Sequence, residues 1–414
     1  MANKNGGFIG TDGLDAPDPP TAVTPTADDE SVSVEFTAPT DTGTSAITGF
    51  VAQVSIDGTD YSAGSNTGSS SPIVVSSLTN GTAATAKVWA INAYGTSAPS
   101  DASASFTPAL PERAFFPGGA NSGGTLTQID VFTITSTGNS TDFGDLSENQ
   151  KENGCASSET RGLILGGNKN LGSLGYGKRC LYFTLSSGGT AATFGNLVQN
   201  AFAFPAGCGN STRALKGGGV GNVGGNTPVL NNIEYFTFTS IGNATDFGDL
   251  TLARKDTTAA SNSTRGIWAS GNDNSDSNSC NVLDYVTIAS AGNATDFGDL
   301  ATSYRRQSGA AGSTRALWGL GRDAGGVNGG TEYNTIASTG NAADFGNLTV
   351  AREYAAGMAG TTRAVWAGGY DSSGFSNVID YHTIASTGSG TDFGDLTTAK
   401  AETQGLSNAH GGLQ

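Results

Sequence analysis

A six-fold internal repeat constrains the fold of this chain more than any other feature. The string TDFGDL, or a close variant, recurs at intervals of 48 to 53 residues. Its phenylalanines are Phe143, Phe194, Phe247, Phe297, Phe345 and Phe393. Each copy also contains an Arg that opens a short apolar stretch ending in Gly: Arg113, Arg161, Arg213, Arg265, Arg315 and Arg363. Such self-similarity predicts an array of equivalent units that pack on one another.

The spacings within each copy separate its framework from its loops. A Thr on a third element, as in DYVTI at Asp284, precedes the Phe by 10 residues in all six copies, which predicts a hairpin of fixed register. The distance from the Arg to this Thr varies from 20 to 24 residues, which predicts one loop of variable length per copy. Each copy is therefore interpreted as four short strands, the size of a β-propeller blade.

The two ends of the repeat region predict ring closure. The first copy begins at Arg113 without the strand that precedes the Arg elsewhere, and the segment after Phe393 is long enough to supply it. Pairing of this C-terminal strand with the first blade buries the edges of the array. The order R-x-x-x-A-G, apolar-x-Gly-Gly, I-D-Y and an aromatic before Leu resembles kelch-type propellers over residues 113–414. The resemblance implies a six-bladed kelch-like β-propeller but no kelch partner, because Phe stands where those repeats usually carry Trp.

Residues 17–108 have a different pattern. Val32, Val34 and Phe36 alternate with polar residues, as in a half-buried strand. The segments ITGF at Ile47 and LTNGTAATAKVWAINAYG at Leu78 resemble a fibronectin type III domain. The expected fold class is all-β, with a fibronectin type III-like β-sandwich at 17–108, a linker at 109–112 and the propeller, closed by its C-terminal strand, at 113–414. Residues 1–16 are expected to be disordered or to anchor on a partner.

Composition argues against several classes of function. The chain carries 36 acidic and 20 basic residues, a net charge of −16, which disfavours nucleic-acid binding. No apolar run approaches the roughly 20 residues of a membrane span, and the N-terminus lacks the apolar core of a secretory signal. The four Cys and two His show no metal-ligand spacing, so we expect ordinary thiols, no metal and no cofactor. A disulfide between neighbouring repeats stays open.

The acids of the DFGDL string suggest either catalysis or calcium binding. An active site needs one or two unique carboxylates, whereas these recur in register, so we expect them to cap turns or to pair with the repeat Arg. Trp268, Trp318 and Trp366 share one register, which predicts packing between blades. Lys216 occupies that register in the third copy and is expected to snorkel or to face the channel. No nucleophile–base pair stands out, and we expect no enzyme.

The loops of variable length are the candidate ligand-binding face. They are rich in Asn, Asp, Ser and Gly with a few aromatic rings, a combination suited to sugar recognition, although they could equally be polar loops without a ligand. The candidate residues are Asn168, Lys169, Tyr176, Asn272, Asp273, Asn274, Arg322, Asp323, Tyr370 and Asp371.

The whole chain resembles the structural and fibre-like proteins of tailed phages, notably those of marine cyanobacteria, in its MANK-x-GGFIGTDGLDAPD-like opening and its STGNATDFGDL repeats. The resemblance implies a non-enzymatic virion surface protein, assembled in the host cytoplasm. Its N-terminal part is expected to attach to other virion proteins, and its propeller to bind a host-surface glycan or protein in many copies. One alternative is a purely structural virion component; the other is a secreted bacterial carbohydrate-binding or hydrolytic propeller. Oligomeric state stays open, and neither nucleic acid nor membrane insertion is expected.

Overall fold

The computed structural model describes residues 14–169, 177–222, 226–273 and 279–413. Within these ranges the regular elements are β-strands and one 3-10 turn at Gly411–Leu413, so the predicted all-β class is confirmed. The chain divides into two compact units, Met1–Pro111 and Glu112–Gln414. In the ranges described, no helix has the length and apolar character needed to cross a membrane.

The N-terminal unit contains two antiparallel sheets. One has the strand order Thr21–Asp28, Ser31–Thr37, Ile73–Ser76; the other has the order Gly64–Gly68, Ile47–Ser55, Thr85–Asn92, Gly95–Thr96. The alternating Val32, Val34 and Phe36 are buried, and the ring of Phe36 lies 4.8 Å from that of Phe50 on the other sheet. Because side chains alternate between the faces of a strand, the apolar face of each sheet contributes to one shared core.

Among the described residues, the C-terminal unit has six larger sheets, numbered here 1 to 6. In sheets 2 to 6 four strands lie side by side in chain order. Sheet 2 is Gly154–Ser157, Arg161–Leu165, Arg179–Thr184, Ala192–Asn196, and sheet 3 is Ala206–Gly209, Arg213–Gly217, Asn232–Thr237, Thr245–Asp249. Sheet 4 is Thr258–Ser261, Arg265–Ala269, Cys280–Thr287, Thr295–Tyr304. Sheet 5 is Ser308–Ala311, Arg315–Gly319, Gly330–Thr335, Ala343–Asn347, and sheet 6 is Ala356–Ala359, Arg363–Ala367, Val378–Thr383, Thr391–Asp395.

Sheet 1 combines the two ends of the repeat region. Its order is Leu406–Ser407, Arg113–Pro117, Gln128–Thr133, Thr141–Asp145, with Gly189–Thr190 added in parallel at the far edge. The C-terminal strand therefore pairs with the first strand of the first copy, which is the pairing predicted from the sequence. Smaller two-stranded pairs are Ala120–Asn121 with Gly124–Thr125, Ala201–Ala203 with Val220–Gly221, Arg322–Asp323 with Gly326–Val327, and Tyr370–Asp371 with Gly374–Phe375.

The first-listed strand of each sheet is called its inner strand. Each inner strand contacts the inner strand of the next sheet, and Leu406–Ser407 contacts those of both sheet 6 and sheet 2. Serine hydroxyls reinforce these contacts: Ser157 Oγ donates to the carbonyl of Ser407 at 2.7 Å, and Ser261 Oγ donates to that of Gly209 at 2.6 Å. Small residues dominate the inner strands, so neighbouring backbones approach closely.

Glycines of the repeat join neighbouring sheets at the outer strands. The Gly of the DFG string has a φ between +138° and +150° in five copies. In four of these it lies against the backbone of a turn Gly in the next sheet, and in the first copy it lies against Gly189 at the edge of sheet 1. The turn Gly donates its N–H to the carbonyl of the Phe, at 2.7 to 3.0 Å, in those four copies and in the copy of Phe194: Gly242–Phe194, Gly292–Phe247, Gly340–Phe297, Gly388–Phe345 and Gly138–Phe393. The last of these bonds connects sheet 6 to sheet 1.

In the part of the chain that the structure describes, no ion pair joins a repeat Arg to a DFGDL acid, so that alternative of the expectation is wrong. In five copies Nη1 donates to a backbone carbonyl of the next sheet at 2.6 to 3.0 Å, as from Arg265 to Ile336. Each of these guanidinium groups also lies over a Tyr ring of its own sheet, such as Tyr285 at 4.7 Å. The carboxylate of Asp296 instead accepts the N–H of Gly298 at 3.2 Å, within the irregular part of its own strand.

The Trp register packs between sheets, as predicted. Trp268, Trp318 and Trp366 are fully buried, and Gly217 of sheet 3 lies directly against the indole of Trp268 in sheet 4. Lys216 is fully buried as well, and its Nζ donates to Asn232 Oδ1 at 3.1 Å. It therefore does not snorkel to solvent, and burial lowers its pKa to about 8.

Candidate functional site

Six residues at one register of the repeat form the candidate site, and we call them the inner ring. They are Glu152, Phe204, Asp256, Arg306, Tyr354 and Glu402. Each precedes an inner strand and has a left-handed backbone, with φ between +52° and +65°. That conformation costs a residue with a Cβ about 1–2 kcal/mol. Strained positions of this kind concentrate at functional sites, which makes the inner ring a candidate.

Backbone hydrogen bonds connect the members of the inner ring. The N–H of Phe204 donates to the carbonyl of Glu152 at 2.8 Å, and the N–H of Arg306 donates to that of Asp256 at 3.0 Å. Tyr354 donates in the same way to Arg306, and Glu402 to Tyr354, both at 3.2 Å. These bonds bring together residues that are about one repeat apart in the sequence.

An aromatic cluster occupies one part of the inner ring. The rings of Phe204 and Tyr354 are stacked, with centroids 5.6 Å apart and planes 26° from parallel. The guanidinium of Arg306 lies 4.7 Å from the Tyr354 centroid, and the Tyr354 hydroxyl donates to Asp256 Oδ1 at 3.2 Å. Burial, assisted by the charge of Asp256, raises the pKa of Tyr354, so its hydroxyl stays protonated.

A cluster of charged side chains occupies another part of the inner ring. Lys151 Nζ lies 3.2 Å from Glu152 Oε1 and 2.8 Å from Glu402 Oε2. Glu402 also accepts the hydroxyl of Tyr370 at 2.9 Å, and Glu152 accepts the Asn168 amide at 3.2 Å. Desolvation raises the pKa of Glu152, and the charge of Lys151 opposes that shift.

A cavity of about 60 Å³ lies between the inner ring and the inner strands. Its wall contains all six ring residues, the hydroxyls of Thr258, Ser308 and Thr403, and the amides of Asn153, Gln307 and Gln404. A second cavity of about 50 Å³ shares part of this wall and includes His410 in its own. His410 Nε2 lies 3.0 Å from the carbonyl of Ser157, and burial lowers the pKa of His410.

Four of the sequence-predicted site residues lie beside the inner ring. The backbones of Asn168, Asn272 and Tyr370 pair with those of Lys151, Lys255 and Glu353, each directly before a ring residue. Arg322 forms two bonds to Glu353, from Nε at 2.8 Å and from Nη2 at 3.0 Å. The structure therefore brings Asn168, Arg322 and Tyr370 together around one rim, although they come from different loops.

The other predicted side chains are not at this rim. Lys169 is 3 % exposed and pairs with Glu148 at 2.6 Å, and the side chain of Asn272 is fully buried, so neither is presented to a ligand on the loop face. Asp323 and Asp371 accept backbone N–H groups of their own hairpins, from Gly325 at 2.7 Å and Ser373 at 2.6 Å. Asp273 is half-buried. Tyr176 and Asn274 lie outside the described residues.

Sequence reasoning missed the inner ring itself, although a signal for it exists. A ring residue follows the repeat Phe by nine residues in five copies and by ten after Phe194. Aligned on the Phe, this register carries Glu, Phe, Asp, Arg, Tyr and Glu, and the registers directly before and after it vary in the same way. The spacing therefore locates the register in every copy, but only the left-handed backbone distinguishes it from its neighbours.

The described residues contain no group of three or more His, Cys, Asp or Glu side chains placed to hold a metal ion. The four cysteines are free thiols, and Cys155, Cys180 and Cys208 are buried. The chain matches no protein-family model, and it matches no curated protein.

Proposed function

We propose that the C-terminal unit is a six-bladed kelch-like β-propeller and that the N-terminal unit is a fibronectin type III-like β-sandwich. The successive contacts of the inner strands support the first proposal, as do the two links between sheets 6 and 1: the C-terminal strand and the Gly138–Phe393 bond. Two antiparallel sheets with one shared core support the second.

The protein is, in this proposal, a non-enzymatic surface or fibre protein of a tailed-phage particle. Its N-terminal segment and N-terminal unit attach to other virion proteins, and the C-terminal unit binds a host-surface glycan or protein. The observation that carries the binding role is the inner ring. The ring holds five residue types on one strained backbone conformation, and all six of its residues line one cavity.

The variable loops extend the same face. Asn168, Arg322 and Tyr370 begin three of these loops and contact the ring or the residues beside it. The tips of two loops, at Ala324 and Ser372, are exposed. A face of this kind binds one ligand weakly, and many copies on a particle raise the overall affinity by avidity.

Binding to intact cells tests the proposal. The full-length chain, biotinylated and tetramerised on streptavidin, is measured by flow cytometry on marine cyanobacterial cells. The variant Ala324→Trp/Ser372→Trp places bulk on the loop face. Its matched control, Glu159→Trp/Ser263→Trp, places the same bulk at exposed turns beyond the other ends of the inner strands.

We expect the wild type and the control to bind and the loop-face variant to lose at least about tenfold in affinity, because loss of one weak contact is multiplied by valency. If both variants bind cells as strongly as the wild type does, the assignment of binding to the loop face is contradicted. Failure of the tetramerised wild type to bind would leave the purely structural role in the particle as the better account.

A further inference from the structure

The cavity next to the inner ring has buried amide groups without partners. Gln307 is 6 % exposed, and neither its Oε1 nor its Nε2 has a hydrogen-bond partner among the described residues. Asn153 is 2 % exposed, and its Nδ2 has none. Both residues lie in the wall of the cavity. Because buried polar groups are normally satisfied, these amides are suited to a guest that both donates and accepts hydrogen bonds.

The size of the cavity limits that guest to an end group. One water needs about 10–15 Å³ of such space, so a cavity of about 60 Å³ holds on the order of five waters. A space of that size has room for one small polar end group and not for a second residue. A longer chain therefore has to continue outward, past the inner ring.

Aromatic side chains lie where the body of such a residue would rest. Phe204 and Tyr354 are half-buried members of the inner ring and also line the cavity. The apolar C–H face of a sugar packs on aromatic surface while its hydroxyls bond to nearby polar groups. The Tyr354 hydroxyl is already engaged by Asp256, which keeps this surface in place.

The charges around the cavity favour a neutral guest. Lys151 pairs with Glu152 and Glu402, and Arg306 lies 3.2 Å from Glu353 and 4.0 Å from Asp256. Each of these carboxylates thus has a cationic partner within the protein. A charged ligand would have to lose its hydration without gaining an unpaired counter-charge in return.

We propose that the cavity and the inner ring bind the terminal residue of a neutral carbohydrate chain. The hydroxyls of that residue bond to Gln307 and Asn153, and its apolar C–H groups pack against the side of the stacked Phe204–Tyr354 pair that lines the cavity. The proposal deepens the binding role of the loop face and rests on it, because it names the ligand class and the subsite.

Saturation-transfer NMR on the full-length protein tests the proposal. The probes are neutral trisaccharides that end in glucose, galactose, mannose or N-acetylglucosamine, with a trisaccharide that ends in sialic acid as the charged comparison. The variants are Gln307→Met and Phe204→Ala. Tyr94→Ala is the matched control, since it removes a half-exposed aromatic side chain of the N-terminal unit.

We expect at least one neutral trisaccharide to bind at millimolar concentration or better and the sialylated one to bind more weakly. Gln307→Met should reduce the affinity about tenfold, and Phe204→Ala about fivefold, whereas Tyr94→Ala should not change it. The urea midpoint of Gln307→Met should stay equal to the wild type or rise, because the replaced amide has no protein partner. If Gln307 had only a structural role, Gln307→Met would lower the urea midpoint and leave the affinity for the trisaccharide unchanged.

Absence of binding by every neutral trisaccharide, equal binding of the sialylated one, or unchanged affinity in both cavity variants overturns the proposal. The cell assay separates this failure from that of the broader function. If Gln307→Met and Phe204→Ala bind cells as the wild type does while Ala324→Trp/Ser372→Trp does not, the loop face binds its ligand outside the cavity. If the wild type binds neutral sugar but does not bind cells, the carbohydrate subsite is supported and the host-binding role is contradicted.

Discussion

Replacement of Arg254 by Met should strongly destabilise the C-terminal unit. Arg254 Nη2 lies 2.9 Å from Asp284 Oδ2, and both side chains are fully buried. The same guanidinium donates to the carbonyls of Val282 at 3.0 Å and Trp268 at 3.2 Å. In the variant Asp284 keeps only Thr251 as a hydrogen-bond donor among the described residues, so its charge is left uncompensated. Breaking a buried pair from one side costs about 3–5 kcal/mol.

The chain itself provides the compensated control. At sheet 2, the positions equivalent to Arg254 and Asp284 are occupied by Gln150 and Leu181. Both residues are fully buried, and Gln150 donates to the carbonyl of Gly166. The double variant Arg254→Gln/Asp284→Leu copies that neutral arrangement. It should recover most of the loss and lie within about 1 kcal/mol of the wild type, because replacing a whole buried pair by neutral groups is often without cost.

Equilibrium unfolding in urea, followed by Trp fluorescence, measures these differences. Arg179→Met is the matched surface control: this Arg is 42 % exposed and pairs with Glu148 at 3.1 Å, so its loss should cost at most about 1 kcal/mol. A cost below about 1 kcal/mol for Arg254→Met, or a double variant as unstable as the single one, would refute the reasoning that Arg254 compensates the buried charge of Asp284.

Two further predictions concern Lys216 and the glycine link between sheets 6 and 1. Burial lowers the pKa of Lys216 to about 8 from 10.5, so between these pH values the unfolded chain binds more protons and the free energy of unfolding should rise with pH by up to about 3 kcal/mol. Urea unfolding measured at several pH values should show no such rise in the variant Lys216→Met. The same pH dependence of the free energy of unfolding in both proteins would contradict the assignment to Lys216. Gly394→Ala drives a Cβ into the carbonyl of Gly138, whereas Gly388, at a similar φ, has open space around it. Urea unfolding should therefore place Gly394→Ala at least about 2 kcal/mol below Gly388→Ala, and equal stabilities would show that the glycines do not approach closely.

Much of the candidate site could not be predicted from the sequence, for a physical reason. The loops were the right region, and Asn168, Arg322 and Tyr370 lie at the rim of the cavity. Polarity alone did not distinguish side chains that face a ligand from those that cap their own hairpin, such as Asp371. Nor did it identify Lys169 as buried, because the partner that makes burial tolerable, Glu148, lies about twenty residues away on another turn.

The sequence by itself determined the strands, their grouping into copies and the packing of the Trp register. The repeat shows which positions have the same structural role in every copy. A fixed spacing of ten residues specifies a hairpin from local sequence alone. The tertiary structure alone decided the partners between copies. It directed the repeat Arg to a carbonyl of the next sheet rather than to a carboxylate, and it gathered six residues about fifty positions apart into one ring. Such contacts depend on how neighbouring sheets lie against each other, which no local spacing encodes.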